Sequence, residues 1–154
     1  MKFYQKFEKN NSWLKDYGCA FFASLYCADK WLGFSDLVNI PNNTWMNIYQ
    51  DLGIFDIDGN IIWKRLERLF PQLIVEPKLW DGEHKEIKEY PAVVSVDGQE
   101  DDKEPDHFVV AEKKRNDIVW IYDPYDGATI DLEIRYGKGT IEESIFSIIN
   151  FRMA

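Results

Sequence analysis

Cys19, His107 and Asp123 have the side-chain types that a thiol-based hydrolysis needs. A sulfur nucleophile requires an adjacent base, and the base requires an acceptor that fixes its tautomer. Cys19 follows Gly18 at the head of a largely apolar run, Gly18 to Leu32 (GCAFFASLYCADKWL). At a helix N-terminus, free backbone N–H groups and the macrodipole favour an anion, here a thiolate. Gly18 leaves room for a substrate backbone beside the sulfur. A cysteine taken at random is more often a small buried hydrophobe, and Cys27, between Tyr26 and Ala28 in the same run, fits that description.

His107 opens an apolar strand, HFVVAE, while the second histidine, His84, stands in the charged run Asp81 to Glu89 and reads as a surface residue. Asp123 closes the strand Ile118 to Tyr122 and precedes Pro124, a frequent way to start a turn. Singly, each has a bland explanation. Jointly they do not, because the 16 residues from His107 to Asp123 hold one strand, a turn at Arg115-Asn116-Asp117 and a return strand. In an antiparallel hairpin the two positions come out as neighbours. Asp126 competes for the acceptor role but lies in the turn beside Gly127. On this reading Asp123→Ala lowers turnover by orders of magnitude and leaves the melting temperature little changed.

The elements that must position these residues fall into two halves. In the first, Gly18 to Leu32 reads as a buried helix with Asp16 as N-cap. Asn43 or Thr44 caps a second helix through Leu52, closed by Gly53. Asp58-Gly59-Asn60 turns into a third, Ile61 to Phe70, with Ile62, Leu66, Leu69 and Phe70 at helical spacing and Pro71 as the stop. The second half reads as strands: Pro91 to Val96, His107 to Glu112, Ile118 to Tyr122, Ala128 to Leu132 and Phe146 to Phe151. Between the first two of these lies Asp97 to Asp106 (DGQEDDKEPD), six acidic residues and one Lys, a solvated loop. The predicted fold class is α+β, with an N-terminal helical lobe carrying the Cys helix on a C-terminal antiparallel sheet, in one domain over 1–154.

The composition sets outer limits. In 154 residues, 45% apolar and 16% aromatic content supplies a core and excludes disorder for most of the length. A net charge of −9 makes nucleic acid and anionic lipid poor partners. The opening MKFYQKFEKN has no apolar signal core, and no run approaches the ~18 apolar residues of a membrane span, so a cytoplasmic protein with free thiols and no membrane insertion is expected. Cys19, Cys27, His84 and His107 lack the paired spacing of structural zinc sites, and Asp56 to Asn60 reads as a turn rather than a calcium loop. No phosphate loop or Gly-x-Ser-x-Gly elbow is present, so neither metal nor cofactor is expected.

Two stretches carry a resemblance. Asp16-Tyr17-Gly18-Cys19-Ala20-Phe21-Phe22-Ala23-Ser24-Leu25 resembles the nucleophile helix of papain-like cysteine peptidases. Pro105-Asp106-His107-Phe108-Val109-Val110, followed by Ile121-Tyr122-Asp123-Pro124-Tyr125-Asp126-Gly127, is similar to their His and Asp strands. More narrowly, the pattern is similar to that of the bacteriocin-processing (double-glycine leader) peptidases and their stand-alone bacterial and phage relatives. In those relatives a helix and an Asp-Gly-Asn turn lead into an apolar-Trp helix, as Asn43 to Leu52 and Asp58-Gly59-Asn60-Ile61-Ile62-Trp63 do here. The resemblance spans Tyr17 to Gly137.

It implies a papain-like fold and a thiol-dependent peptidase or amidase with Cys19 as nucleophile, His107 as base and Asp123 as orienting acceptor. It also implies Tyr17, Gly18 and Asp106 beside the substrate, a peptide or protein substrate, and no cofactor. One departure stands out. The family places a Gln about six residues before the Cys to help bind the oxyanion, and that position is Trp13 here. Gln5, Asn10, Asn11 and Ser12 are the nearby substitutes. Loss of one such donor costs about 10²–10³ in rate, so the alternative is a weak or inactive member of the fold that acts as a binding module. The sequence leaves the oligomeric state, the host and the substrate's identity open.

Overall fold

The computed structural model describes residues 18–34, 37–79, 87–98, 107–137 and 141–154. Helix α1 (Cys19–Leu32) begins directly after Gly18 and ends at Gly33, whose left-handed backbone (φ 66°) turns its N–H back onto Asp29 O at 2.9 Å. Phe21, Phe22, Ala23, Ser24, Leu25, Cys27 and Ala28 are buried in it, so the helix is enclosed on most sides. The N-cap is Gly18 with no side-chain cap, and Asp16 lies outside the described residues.

Helix α2 (Asn42–Asp51) starts earlier than its Asn and Thr suggest. Pro41 is the N-cap, and its carbonyl accepts from Thr44 N (3.0 Å) and Trp45 N (3.2 Å). The ring holds that residue extended (φ −58°, ψ 146°) and leaves Asn43 and Thr44 inside the helix, so neither caps it. Trp45 and Tyr49, one turn apart, bury its inner face.

The expected third helix, Ile61 to Phe70, is only partly a helix. The Asp-Gly-Asn turn forms, with Gly59 at φ 83° and Asp56 Oδ1 accepting from Asp58 N and Asn60 N at 2.9 Å each. It closes a bridge between Phe55 and Ile61, and Ile62 N donates to Ile54 O at 2.8 Å. Those cross-turn bonds hold Ile61 and Ile62 extended, and a 3₁₀ helix covers just Trp63–Arg68. Its Arg65 and Arg68 guanidiniums donate to Gly53 O (2.9 Å) and Leu52 O (2.8 Å), satisfying carbonyls at the end of α2.

The sheet holds β1 (Leu73–Leu79), β2 (Ala92–Val96), β3 (His107–Arg115), β4 (Ile118–Asp123), β5 (Ala128–Asp131) and β6 (Ser147–Met153). Its order is β1-β6-β2-β3-β4-β5 and every pairing is antiparallel. The fold is therefore α+β with an antiparallel sheet, as the sequence predicts. Strand β1 has no counterpart in the sequence reading, and Pro77 within it explains why: proline suits an edge strand, where β1 lies. Two short helices also went unforeseen, α3 (Leu132–Tyr136) and α4 (Ile141–Ser144).

Both faces of the sheet are covered. Val75, Val93, Val110, Tyr122, Ile149 and Phe151 pack under α1 with Phe21, Phe22 and Leu25. Val94, Val96, Val109, Ala111, Val119 and Ile121 face the other way, onto Leu132 and Ile145. Burial on both sides makes β2 a continuous apolar run rather than an alternating one.

Candidate active site

Three elements deliver the three sequence-derived candidates. Cys19 is the first residue of α1, His107 the first of β3 and Asp123 the last of β4. Strands β3 and β4 form a hairpin whose two turn residues, Asn116 (φ 52°) and Asp117 (φ 63°), match the right-handed twist of the strands. Val110 pairs with Tyr122, so Asp123 sits one step further on, diagonal to His107 and on its face.

His107 Nε2 lies 2.8 Å from Asp123 Oδ1. Cys19 is the other partner of the same imidazole, and its side chain favours the imidazolium. The His107 side chain is 12% exposed and that of Asp123 is fully covered. The structure thus brings Cys19, His107 and Asp123 into one chain of contacts.

Charge is arranged in the same direction. Burial works against the imidazolium of His107, but the hydrogen bonds from Asp123 and Cys19, together with their charges, outweigh it and raise the ring to about 9. Burial also opposes the Asp123 carboxylate. Its bonds to His107, Tyr136 and the Tyr125 N–H win, and hold the carboxyl at about 2.

Asp123 is fixed by more than the histidine. Oδ1 also accepts from Tyr125 N at 2.9 Å, and Oδ2 accepts from Arg135 Nη1 at 3.1 Å and from the Tyr136 hydroxyl. Arg135 Nη1 donates in addition to Asp126 Oδ1 at 2.9 Å. Asp126, the competing acceptor, is therefore a partner of Arg135 and a cap on Ala128 N (3.1 Å). Replacing Asp123 by Ala would strip His107 and the Tyr136 hydroxyl of their acceptor and leave Arg135 with Asp126 alone, so a lower melting temperature is expected where the sequence suggests little change. The correction follows from geometry: the carboxylate is an acceptor for α3 as well as for the histidine.

The sulfur helix is pinned to the histidine strand two turns below Cys19. Glu112 occupies a bulge in β3, where the register slips between Ala111 and Lys113, and accepts from the Tyr26 hydroxyl. The Tyr26 ring stacks on Tyr122 of β4 with centroids 3.8 Å apart and planes 3° from parallel. At the end of α1, Trp31 Nε1 donates to Pro91 O at 2.7 Å.

The two cysteines differ as their positions suggest. Cys19 is half-buried and Cys27 fully buried, both as free thiols. Cys27 donates to Pro91 O at 3.5 Å, and burial pushes its thiol up. Gly18 is buried at the N-cap of α1. Gln5, Asn10, Asn11, Ser12, Trp13, Tyr17, His84 and Asp106 lie outside the described residues.

No protein-family model and no curated protein sequence matches the chain. Among solved structures, one described as the crystal structure of a double glycine motif protease from the AMS/PCAT transporter in complex with the leader peptide is similar. It shares 20% sequence identity at a TM-score of 0.46, over 84% of this chain and 86% of that one.

Trp63, Pro77, Phe108, Ser147 and Ile149 line a depression of about 320 Å³ on the α1 side of the sheet, with the Trp63 and Phe108 rings 5.4 Å apart. Among the described residues, no group of three or more His, Cys, Asp or Glu side chains is placed to hold a metal ion. Nor is any helix among them long and apolar enough to cross a membrane.

Sequence reasoning missed Arg135 and Tyr136. The available signal was Asp131, whose Oδ1 accepts from Glu133 N at 2.8 Å as an N-cap for α3. That pattern announces a helix start where a strand end was expected.

Proposed function

We propose that the protein is a papain-like thiol hydrolase that cleaves a peptide or amide bond in a peptide or protein. The observation that carries this reading is the imidazole of His107, held at Nε2 by a buried carboxylate and raised by both Asp123 and Cys19. A histidine oriented in this way is built to move a proton between a sulfur and something else.

In the proposed reaction His107 takes the Cys19 proton and the sulfur attacks the substrate carbonyl carbon. The first N–H groups of α1 lack intrahelical acceptors and face the developing oxyanion. His107 then returns its proton to the leaving amine as the C–N bond breaks, leaving a thioester on Cys19. Water, deprotonated by His107, attacks that thioester; the C–S bond breaks, the acid leaves, and the proton on His107 is again shared with the freed Cys19 sulfur. Asp123 holds the ring throughout and offsets its charge without itself taking the proton. The apolar depression at Phe108 and Trp63 is suited to an apolar side chain of the substrate.

The test is cheap. Wild type and Cys19→Ala are incubated with peptides of three kinds suggested by the sequence resemblance: double-glycine leader peptides, phage or bacterial protein segments, and cell-wall peptides. Cleavage by wild type that Cys19→Ala loses supports the hydrolase. Cleavage that survives Cys19→Ala overturns it. Tight peptide binding without cleavage by wild type assigns the binding-module role instead.

A further inference from the structure

Asp123 needs one donor to orient His107, and it has four. Oδ1 takes His107 Nε2 (2.8 Å) and Tyr125 N (2.9 Å), and Oδ2 takes Arg135 Nη1 (3.1 Å) and the Tyr136 hydroxyl. A carboxylate bonded at only one oxygen is free to turn about Cβ–Cγ, offering either oxygen to the ring. Donors on both oxygens remove that freedom.

The two donors on Oδ2 differ in kind. Arg135 is shared with Asp126 and is anchored in the turn. Tyr136 spends its hydroxyl on Asp123 and lays its ring beside His107, centroids 5.6 Å apart at 54°. One side chain therefore touches both the base and the base's acceptor.

Its own position is well fixed. Leu132 is fully buried, the Asp131 cap starts the helix, and Gly137 N closes it onto Glu133 O at 3.1 Å. A Cβ at Gly137 would fall 2.3 Å from that same carbonyl, so the stop admits only glycine.

We propose that Tyr136 is a positioning residue of the hydrolytic site, locking Asp123 and His107 in the one mutual orientation that serves Cys19. The proposal rests on the hydrolase reading above. Helix α3 then serves as a clamp on the acceptor as well as a cover for the sheet.

The clamp has an electrostatic consequence. The groups facing Asp123 are His107, and beyond it Cys19, from β3 and α1; Arg135 and Tyr136 from α3; and Asp126, through Arg135, from the turn. Burial favours the protonated carboxyl and the donors oppose it. Removing one donor lets burial count for more, so the carboxyl must titrate at higher pH.

Tyr136→Phe keeps the ring and removes only the hydroxyl. Two readouts on the full chain need no known substrate: the carbon-13 NMR titration of the Asp123 carboxyl, and the rate of Cys19 alkylation by iodoacetamide against pH. The carboxyl midpoint is expected to rise by about one pH unit, the scale of one charge-assisted hydrogen bond. The acid limb of the alkylation profile is expected to move up with it. A lowered melting temperature with both titrations unmoved makes Tyr136 a packing residue and overturns the proposal.

If Tyr136→Phe folds poorly, 3-fluorotyrosine at position 136 replaces it. The hydroxyl is then retained as a stronger donor, the carboxyl midpoint is expected to fall, and no movement overturns the clamp. The two readings fail separately. Wild-type Cys19 alkylated no faster than a free thiol at every pH sinks the hydrolase, while the carboxyl titration still reads whether Tyr136 holds Asp123.

Discussion

His107 and Asp123 meet at 2.8 Å across the open end of one hairpin, the histidine on the first residue of its strand and the carboxylate on the last of the next. The pairing needs only the register of two adjacent strands, so it is set locally. Cys19 must be brought to it from the other half of the chain.

Asp123→Asn keeps the volume of the side chain but removes its charge and leaves one accepting oxygen to serve His107 on one side and Arg135 and Tyr136 on the other. Turnover is expected to fall on the order of 10³- to 10⁴-fold, as when an orienting carboxylate is lost elsewhere. Asp123→Ala adds a loss of stability of about 1–3 kcal/mol, because His107 and the Tyr136 hydroxyl lose their buried acceptor while Arg135 keeps Asp126. Asp126→Ala is expected to cost much less of both, since Arg135 keeps Asp123. Cleavage assays beside calorimetric melting of the three variants separate these effects.

Thiol chemistry is expected to discriminate sharply between the two cysteines. Cys19 is partly open and bonded to an imidazole, whereas Cys27 is enclosed and its thiol pushed up. Brief iodoacetamide treatment of folded protein followed by peptide mass mapping should find the adduct on Cys19 and none on Cys27. Equal labelling would contradict the site.

Stability should depend on pH on both sides of a plateau. Asp123 is held near 2 against an ordinary 3.8, so its contribution is present above about pH 4 and lost as pH falls through about 2. His107 is raised from 6.5 to about 9, so its contribution is full below about 6.5 and lost as pH rises through about 9. The alkaline loss amounts to about 3 kcal/mol at most, shared between the two partners. Melting temperatures of wild type and His107→Gln from pH 5 to 10 read it: the gap between them should narrow between 6.5 and 9.

Tyr26→Phe tests how α1 is held to the hairpin. The stacked ring remains over Tyr122 while Glu112 loses its donor. A half-buried carboxylate stripped of one hydrogen bond costs about 1–2 kcal/mol, and the helix bearing Cys19 loses a tie to the strand bearing His107. The expected signature is a lower melting temperature together with slower alkylation of Cys19 at neutral pH.

Much of this site is legible in the amino-acid sequence, and the reason is its locality. Gly18-Cys19 heads an apolar run that has no alternative to being a buried helix. The His107-to-Asp123 spacing fits a hairpin and little else. What stays hidden depends on distant placement. Arg135 and Tyr136 stand in a five-residue helix with no periodicity to announce it, and what they do is visible only once Asp123 lies beneath them. The segment after Gly59 misleads for a different reason. Ile62, Leu66, Leu69 and Phe70 recur at α-helical spacing, but the Phe55–Ile61 bridge and the Ile62 N to Ile54 O bond hold Ile62 extended, and a 3₁₀ helix follows. In β1, Pro77 and Glu76 hide a strand whose alternation, Leu73 and Val75 inward, is otherwise plain.

The position of β6 bears on how the fold is completed as the protein is made. Among the described residues, strand β1 joins the sheet through β6, which follows the other strands in the chain yet lies between β1 and β2. A nascent polypeptide can close the hairpin of β3 and β4 while still attached to the ribosome, but the segments flanking the missing strand have nothing to pair with until β6 emerges. Cys19 is translated well ahead of His107, and its helix docks on the hairpin through Tyr26 before the strand that completes the sheet is made. A chain broken off ahead of Ser147 would carry every residue of the site and still lack the strand that joins its edges.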